Sequence, residues 1–302
     1  MNPSALLPAV VSVGLVGFGE VGRIFAQALL PTVAVVSAWD VKFAEPATRR
    51  ETQIPGVYAA DSLADLCQRS QLVISAVTAS STLAVAREAA AHLNANSCFL
   101  DLNSASPGAK QQAGALIEAA GGRYVEAGVM TSVPPHGIGV PMLIGGPHAA
   151  ALLPLLSALG MNASVASDRL GVASATKMCR SVMIKGLEAL VIESYATARH
   201  HGVEDAMIAT LQETFPGIDW SAQGSYFFCR VAQHGKRRAE EMREVASTVR
   251  EAGFEPFMAS AIAEKHDWMA AQARADAFKD LPAQPDWQDF ADALLRAQPP
   301  GG

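Results

Sequence analysis

The stretch SVGLVGFGEVGRIFAQALLP, Ser12 to Pro31, decides the fold. Its glycines Gly17, Gly19 and Gly22 spell G-x-G-x-x-G between an apolar run that reads as a strand and a helical segment that Pro31 stops. Alone, the triplet is also what a glycine-rich turn looks like. The surroundings separate the two readings: a strand precedes it, a helix opens on it, and Asp40 ends the next β-rich run, VAVVSAWD. In that setting Gly17 permits the tight turn, Gly19 lets backbone approach a pyrophosphate, and Gly22 lets the helix pack closely on the strand. The helix N-terminus adds unpaired N–H groups and a partial positive charge. Asp40 is placed to accept hydrogen bonds from ribose hydroxyls and to repel a 2′-phosphate, which favours NAD over NADP. Lys42, Arg49 and Arg50 just beyond it keep NADP open. The expected cofactor contacts here are Gly17, Phe18, Gly19, Glu20, Val21, Gly22 and Asp40.

Working outward, short β-rich runs alternate with helical ones from Ser12 to about Ala166. After VAVVSAWD come a loop, LVISAV, the helix STLAVAREAAAHL, SCFLDL and the helix PGAKQQAGALIEAA. LVISAV is apolar at consecutive positions, the pattern of a strand covered by helices on both sheet faces. Alternation of this kind builds an open, doubly wound parallel sheet. Two further strands, GRYVEAGVM and GVPMLIGG, follow closely. After Asp168 no strand is read, and helical periodicity takes over with a segment from about Ala173 to His200 that Gly202 ends. The expected architecture is an α/β Rossmann-type doubly wound sheet over residues 1–167, then an all-α substrate and dimerisation domain over 168–302. The tail AQPPGG is expected to fray.

Half of the 302 residues are apolar and 17% are charged, the balance of a folded chain. The net charge of −6 includes no basic arm, which argues against nucleic acid as a partner. The segment GKRRAEEMREV carries both signs at helical spacing, with Arg237 and Glu241 four residues apart, and reads as a solvated helix face. Cys67, Cys98, Cys179 and Cys229 form no C-x-x-C pair and indicate neither a zinc site nor a disulfide framework. No metal is expected, and a reducing cytoplasm is the expected compartment. The apolar run from Ala5 to Phe18 has no basic residue before it and leads into the glycine triplet instead of a cleavage site. It is also shorter than the roughly 20 apolar residues of a membrane span, so no membrane association is expected.

Two loops after strands carry polar residues suited to chemistry. DLNSASPGAK holds Asp101, Asn103, Ser104 and Ser106; EAGVMTSVPPHG holds Thr131, Ser132, Pro134, Pro135 and His136. Both belong at the strand ends where ligands of such sheets bind. Both are also ordinary cap and turn sequences, and Ser106 before Pro107 reads as a plain N-cap.

The order GLVGFGEVG, LVISAVTA, DLNSASPGA, YVEAGVMTSVPPHG, GVASATKMCRSVMIKGLEAL resembles the β-hydroxyacid dehydrogenase superfamily, which includes 6-phosphogluconate and 3-hydroxyisobutyrate dehydrogenases. The VPPHG loop and the RRAEEMREV helix are most similar to a poorly characterised branch with its own C-terminal helical domain. The likeness covers nearly the whole chain. It implies an NAD(P)-dependent dehydrogenase acting on the CH–OH group of a small β-hydroxy acid or related alcohol, and a homodimer. It places the superfamily's general acid/base on Lys177, with Lys185 two turns later as the reserve. Alone, a lysine on an amphipathic helix reads as a snorkelling side chain. With the resemblance, Lys177 reads as a partly desolvated amine beside the nicotinamide, its pKa lowered enough to take the alcohol's proton.

The resemblance further assigns Val77, Thr78 and Asn103 to the cofactor, Asn103 and Ser104 to substrate and nicotinamide, and Met130, Thr131 and Ser132 to a substrate carboxylate. His136 is a candidate substrate contact. Ser181 stands where relatives usually carry asparagine, and Arg180 before it is a candidate carboxylate fork. Glu240 and Glu241 stand where relatives often have lysine and aspartate. Two other functions stay open: imine reduction, against which the retained lysine counts, and a non-catalytic NAD-binding regulatory protein.

Overall fold

The computed structural model describes residues 11–51 and 53–297. The tail expected to fray, beyond Ala297, and the start of the apolar run at Ala5 lie outside these described residues. Eight strands form one sheet: β1 (Ser12–Val16), β2 (Val35–Trp39), β3 (Val57–Ala59), β4 (Leu72–Ser75), β5 (Cys98–Asp101), β6 (Arg123–Val129), β7 (Met142–Gly145) and β8 (Ala163–Ser167). Their spatial order is β3-β2-β1-β4-β5-β6-β7-β8. Neighbours are parallel except β6 and β7, which run antiparallel. The helices of this unit are α1 (Glu20–Leu29), α2 (Pro46–Glu51), α3 (Leu63–Arg69), α4 (Thr82–Ala90), α5 (Pro107–Ala119) and α6 (Ala149–Ala158). The doubly wound sheet read from the sequence is present.

The two-residue period of a strand divides the apolar side chains between two cores. Leu15, Leu72, Ile74 and Leu100 join one cluster with Phe25 and Leu29 of α1. Val16, Val73 and Phe99, one residue out of step, join the other with Leu63 and Leu66 of α3 and Ile117 of α5. Covering both faces in this way explains why β4 is apolar at consecutive positions.

The region between Asp40 and Leu72, read from sequence as a loop, instead holds α2, β3 and α3, and α6 and β8 were also not foreseen. The reasons are physical. β3 is three residues long, β8 is built of mostly small and exposed residues, and α6 is apolar nearly all round with Pro154 inside it, so no helical period stands out.

Contacts divide the chain between Met178 and Cys179, inside α7 (Val172–His201). The second unit contains the remainder of α7 with α8 (Glu204–Thr214), α9 (Trp220–Glu251), α10 (Phe257–Arg274) and α11 (Trp287–Ala297). Its core gathers Ile192, Tyr195, Phe228, Val231, Met269, Trp287 and Phe290. Tyr195 meets the Trp287 ring edge-on at 4.9 Å and donates its hydroxyl proton to the Trp220 carbonyl at 3.0 Å. Gly235 lets α9 and α10 approach closely, since a side chain there would stand 2.7 Å from the His266 carbonyl oxygen. No helix among the described residues is long and apolar enough to cross a membrane.

Candidate functional site

The strand order reverses between β1 and β4, and the glycine turn lies at the carboxyl end of β1, where ligands of such sheets bind. Gly17 has φ +89°, and a Cβ there would sit 2.5 Å from the Ala76 carbonyl oxygen. At Gly22 a Cβ would lie 2.2 Å from the Gly17 carbonyl oxygen, so α1 can start on the turn only with glycine there. Gly19 differs from both: nothing lies within 4 Å of where its side chain would be. It is the N-cap of α1, and no side chain caps the first turn. Glu20 is exposed and Val21 half-buried, while Phe18 turns into the core against Phe43. An uncapped helix start beside open space, next to a turn only glycine can make, fits a dinucleotide diphosphate.

Asp40 closes the same turn. Phe18 N donates to its Oδ2 at 2.8 Å and Lys42 N to its Oδ1 at 3.0 Å. Each oxygen accepts one bond and retains a lone pair for a ribose hydroxyl. Arg49 donates to the Ala59 carbonyl at 2.6 Å and to Asp61 at 2.8 Å.

On the neighbouring strand ends, Asn103 is buried and its side chain is engaged within the protein. Its Oδ1 accepts from Val77 N at 2.7 Å, its Nδ2 donates to Ser75 Oγ at 3.0 Å, and its own N–H donates to Asp101 Oδ1 at 2.9 Å. It therefore ties the loops after β4 and β5 together. Thr78 is exposed, its hydroxyl bonded to those of Ser80 and Ser81. Ser106 is the N-cap of α5 and accepts from Ala109 N at 3.3 Å.

Ser104, next to Asn103, meets Lys177: Nζ donates to Oγ at 2.5 Å across 73 residues of sequence. Lys177 is half-buried, and its helix lies close on β6, since a Cβ at Gly128 would be 3.0 Å from Ala173 O and 3.4 Å from Lys177 Cβ. From the end of β6 the chain passes through Met130 and Ser132, both half-buried, and exposed Thr131 and His136 before β7 begins. Met130 N donates to Pro141 O at 2.9 Å, closing the base of that loop.

Arg180 and Ser181 belong to the second unit. Arg180 is exposed, and Ser181 is buried and accepts from Lys185 Nζ at 3.3 Å. Lys185 is itself paired with Glu241 at 2.9 Å.

Several buried charges were not foreseen. Asp101 pairs with Lys110 at 2.8 Å and accepts from Tyr124 at 2.7 Å. Burial, then the Asp101 charge, pushes the Tyr124 hydroxyl well up from its ordinary value. Glu126 is fully buried. In the second unit Arg238, inside a segment that read as a solvated face, is buried and bonded to Glu188 at 2.8 Å. No single-sequence signal separates these from surface charges, because their partners lie 9 to 50 residues away. No group of His, Cys, Asp and Glu suited to a metal exists among the described residues.

Comparison with known proteins matches residues 12–167 to the NAD binding domain of 6-phosphogluconate dehydrogenase, and residues 198–269 to a domain of unknown function, DUF1932. Among solved structures, a conserved hypothetical protein from Sinorhizobium meliloti 1021 is 35% identical, covering 97% of this chain and 98% of that one, with a TM-score of 0.77. The conserved protein MTH1747, described as structurally similar to 3-hydroxyacid dehydrogenases, is 30% identical over 88% of this chain and 98% of its own, with a TM-score of 0.67. Mycobacterium tuberculosis 3-hydroxyisobutyrate dehydrogenase with L-serine shares the fold, at 15% identity, 95% and 100% coverage and a TM-score of 0.70.

Proposed function

The chain belongs to the family of the NAD binding domain of 6-phosphogluconate dehydrogenase, and from that premise we propose a dehydrogenase of small β-hydroxy acids or related alcohols in which Lys177 moves the proton. It is an NAD(P)-dependent oxidoreductase. When bound, the nicotinamide supplies the hydride acceptor. The first turn of α1 and the N–H groups around Gly19 hold the diphosphate, and Asp40 accepts from the ribose. Arg49 is engaged by Asp61 and Ala59 O, which supports NAD as the preferred form.

The observation that carries the reading is the Lys177–Ser104 contact. An alcohol that loses hydride must also lose its hydroxyl proton. The half-buried Nζ of Lys177 accepts that proton, and Ser104 Oγ fixes the direction in which Nζ points. Thr131 and Ser132 on the loop after β6 supply hydroxyls for the substrate's carboxylate. The likeness of MTH1747 to 3-hydroxyacid dehydrogenases supports this substrate class.

The test is a panel of β-hydroxy acids, simple alcohols and cyclic imines with NAD and NADP, followed by NADH or NADPH absorbance. Oxidation of a hydroxy acid is expected, with NAD the better cofactor. Lys177→Ala should lower turnover at least about a hundredfold and leave cofactor affinity unchanged. Undiminished turnover in that variant would remove Lys177 from the mechanism. Cofactor binding without turnover across the panel would replace the enzyme with a regulatory protein.

A further inference from the structure

We propose that Glu126 is the positioning residue for Lys177, setting both the place and the proton affinity of its amine. The inference rests on the reading of Lys177 as the proton-moving group.

Glu126 points from β6 into the start of α7. Its Oε1 accepts from Gly171 N at 2.8 Å and Ala173 N at 3.0 Å, and its Oε2 accepts from the Ser174 hydroxyl at 2.7 Å. The carboxylate thus takes the place of an N-cap, but from another element, and it anchors the turn immediately before Lys177. Two glycines make this arrangement possible. A Cβ at Gly145 on β7 would come within 2.7 Å of Glu126 Oε1, and one at Gly128 would press on Ala173 O at 3.0 Å. Space was kept for the carboxylate on one side and for the helix backbone on the other.

Charge distinguishes Glu126 from an ordinary packing residue. It lies in register with Asp101 across β5 and β6, and both are buried. Asp101 has a cation, Lys110, at 2.8 Å. Glu126 is met by two backbone N–H groups and a hydroxyl, so its negative charge is balanced by the positive end of α7. Lys177 sits one turn into that helix and feels both. The helix end lowers its proton affinity and the carboxylate raises it. The titratable groups coupled to Glu126 are Asp101, its register partner on β5, Lys110 on α5, which pairs with Asp101, and Tyr124, whose hydroxyl feels both carboxylates; Arg180 follows Lys177 by three residues in sequence.

The sign is fixed. In Glu126→Gln the amide oxygen still accepts both N–H groups, the Ser174 hydroxyl can turn to accept from the amide, and only the charge is lost. Lys177 should then lose its proton at lower pH than in the wild-type protein. Glu126→Ala removes the anchor as well, and Lys177 should become several-fold more reactive as its contact with Ser104 loosens.

Both effects are read without substrate or cofactor, from the rate at which an amine-reactive reagent labels Lys177 as pH is varied. Labelling is located by peptide mass spectrometry, with exposed Lys279 as the internal reference. A downward shift of the Lys177 midpoint in Glu126→Gln, with Lys279 unmoved, is the expected result. An unchanged midpoint there overturns the proposal. If Glu126→Ala fails to fold, the isosteric variant still decides. Absence of turnover in the wild-type protein would defeat the dehydrogenase reading and leave this labelling result standing on its own.

Discussion

In the sheet unit, the buried carboxylates of Asp101 and Glu126 are met by backbone N–H groups, hydroxyls and one amine. In the helical unit, the buried carboxylate of Glu188 is met by charge: Arg238 on α9 binds it through two nitrogens, and Lys185 and Glu241 form a second pair nearby in sequence on the same two helices. His266 on α10 is fully buried beside them, and neither ring nitrogen has a hydrogen-bond partner. Backbone donors are fixed by the fold and cannot leave, so the first cluster orients its neighbours. Charge pairs depend on both members being present, so the second cluster specifies how three helices meet.

That contrast breaks most readily at Arg238. Arg238→Met leaves Glu188 buried without its cation, and urea unfolding should show a loss of about 3–5 kcal/mol. The matching change in the sheet unit, Lys110→Met, should cost less, because Asp101 still accepts from Asn103 N and the Tyr124 hydroxyl. Equal losses at the two sites would erase the distinction.

His266 supplies the next largest effect. Burial first, then the Arg238 and Lys185 charges, holds its pKa down at about 3. The neutral ring is therefore the folded form, and its 3.7 Å approach to Glu188 Oε2 is not an ion pair. In the unfolded chain the ring takes a proton near pH 6.5. The unfolded state thus binds the extra proton between pH 6.5 and about 3, and stability is present above that window and lost as pH falls through it. In His266→Gln, the fall in unfolding free energy between pH 7 and pH 5 should shrink by roughly 2 kcal/mol. A slope identical to wild type would mean that the ring is already protonated in the fold.

The smallest expected effect is that of Tyr124→Phe. It removes one of the donors on Asp101, which keeps Lys110 and Asn103 N, and should cost about 1.5 kcal/mol at neutral pH. A loss as large as that of Arg238→Met would show the sheet cluster to be no more tolerant than the helical one.

The two units also differ in how far a reader of the sequence could have gone. Gly17 and Gly22 were legible because backbone geometry forbids other residues there, and Asp40 because its place after β2 follows from strand topology. The resemblance gives Lys177 and Ser104 separate roles but not their contact, and nothing in the local pattern of either residue announces the other. Inside YVEAGVM, Glu126 carries no local signal of its role, because a single acid among apolar residues has the look of an outward-facing strand position. Arg238 is hidden more thoroughly, since RRAEE carries both signs at helical spacing as surface helices do, and only tertiary packing turns one of its arginines inward. Buried charge is invisible in one sequence because its partner is distant.

The reversal of direction at β7 has its own consequence. A parallel successor to β6 would have required a crossover helix to carry the chain back along the sheet. Because β7 instead runs antiparallel, the segment between Val129 and Met142 stays at the ligand edge from start to finish. Within it Val133 and Val140 are buried in one cluster with Phe18 and Phe25 of the glycine turn and α1, whereas Thr131, Pro134, Pro135 and His136 are exposed. Exchanging those exposed side chains, with the loop's length and its two buried valines kept, is the change that would leave the glycine turn undisturbed.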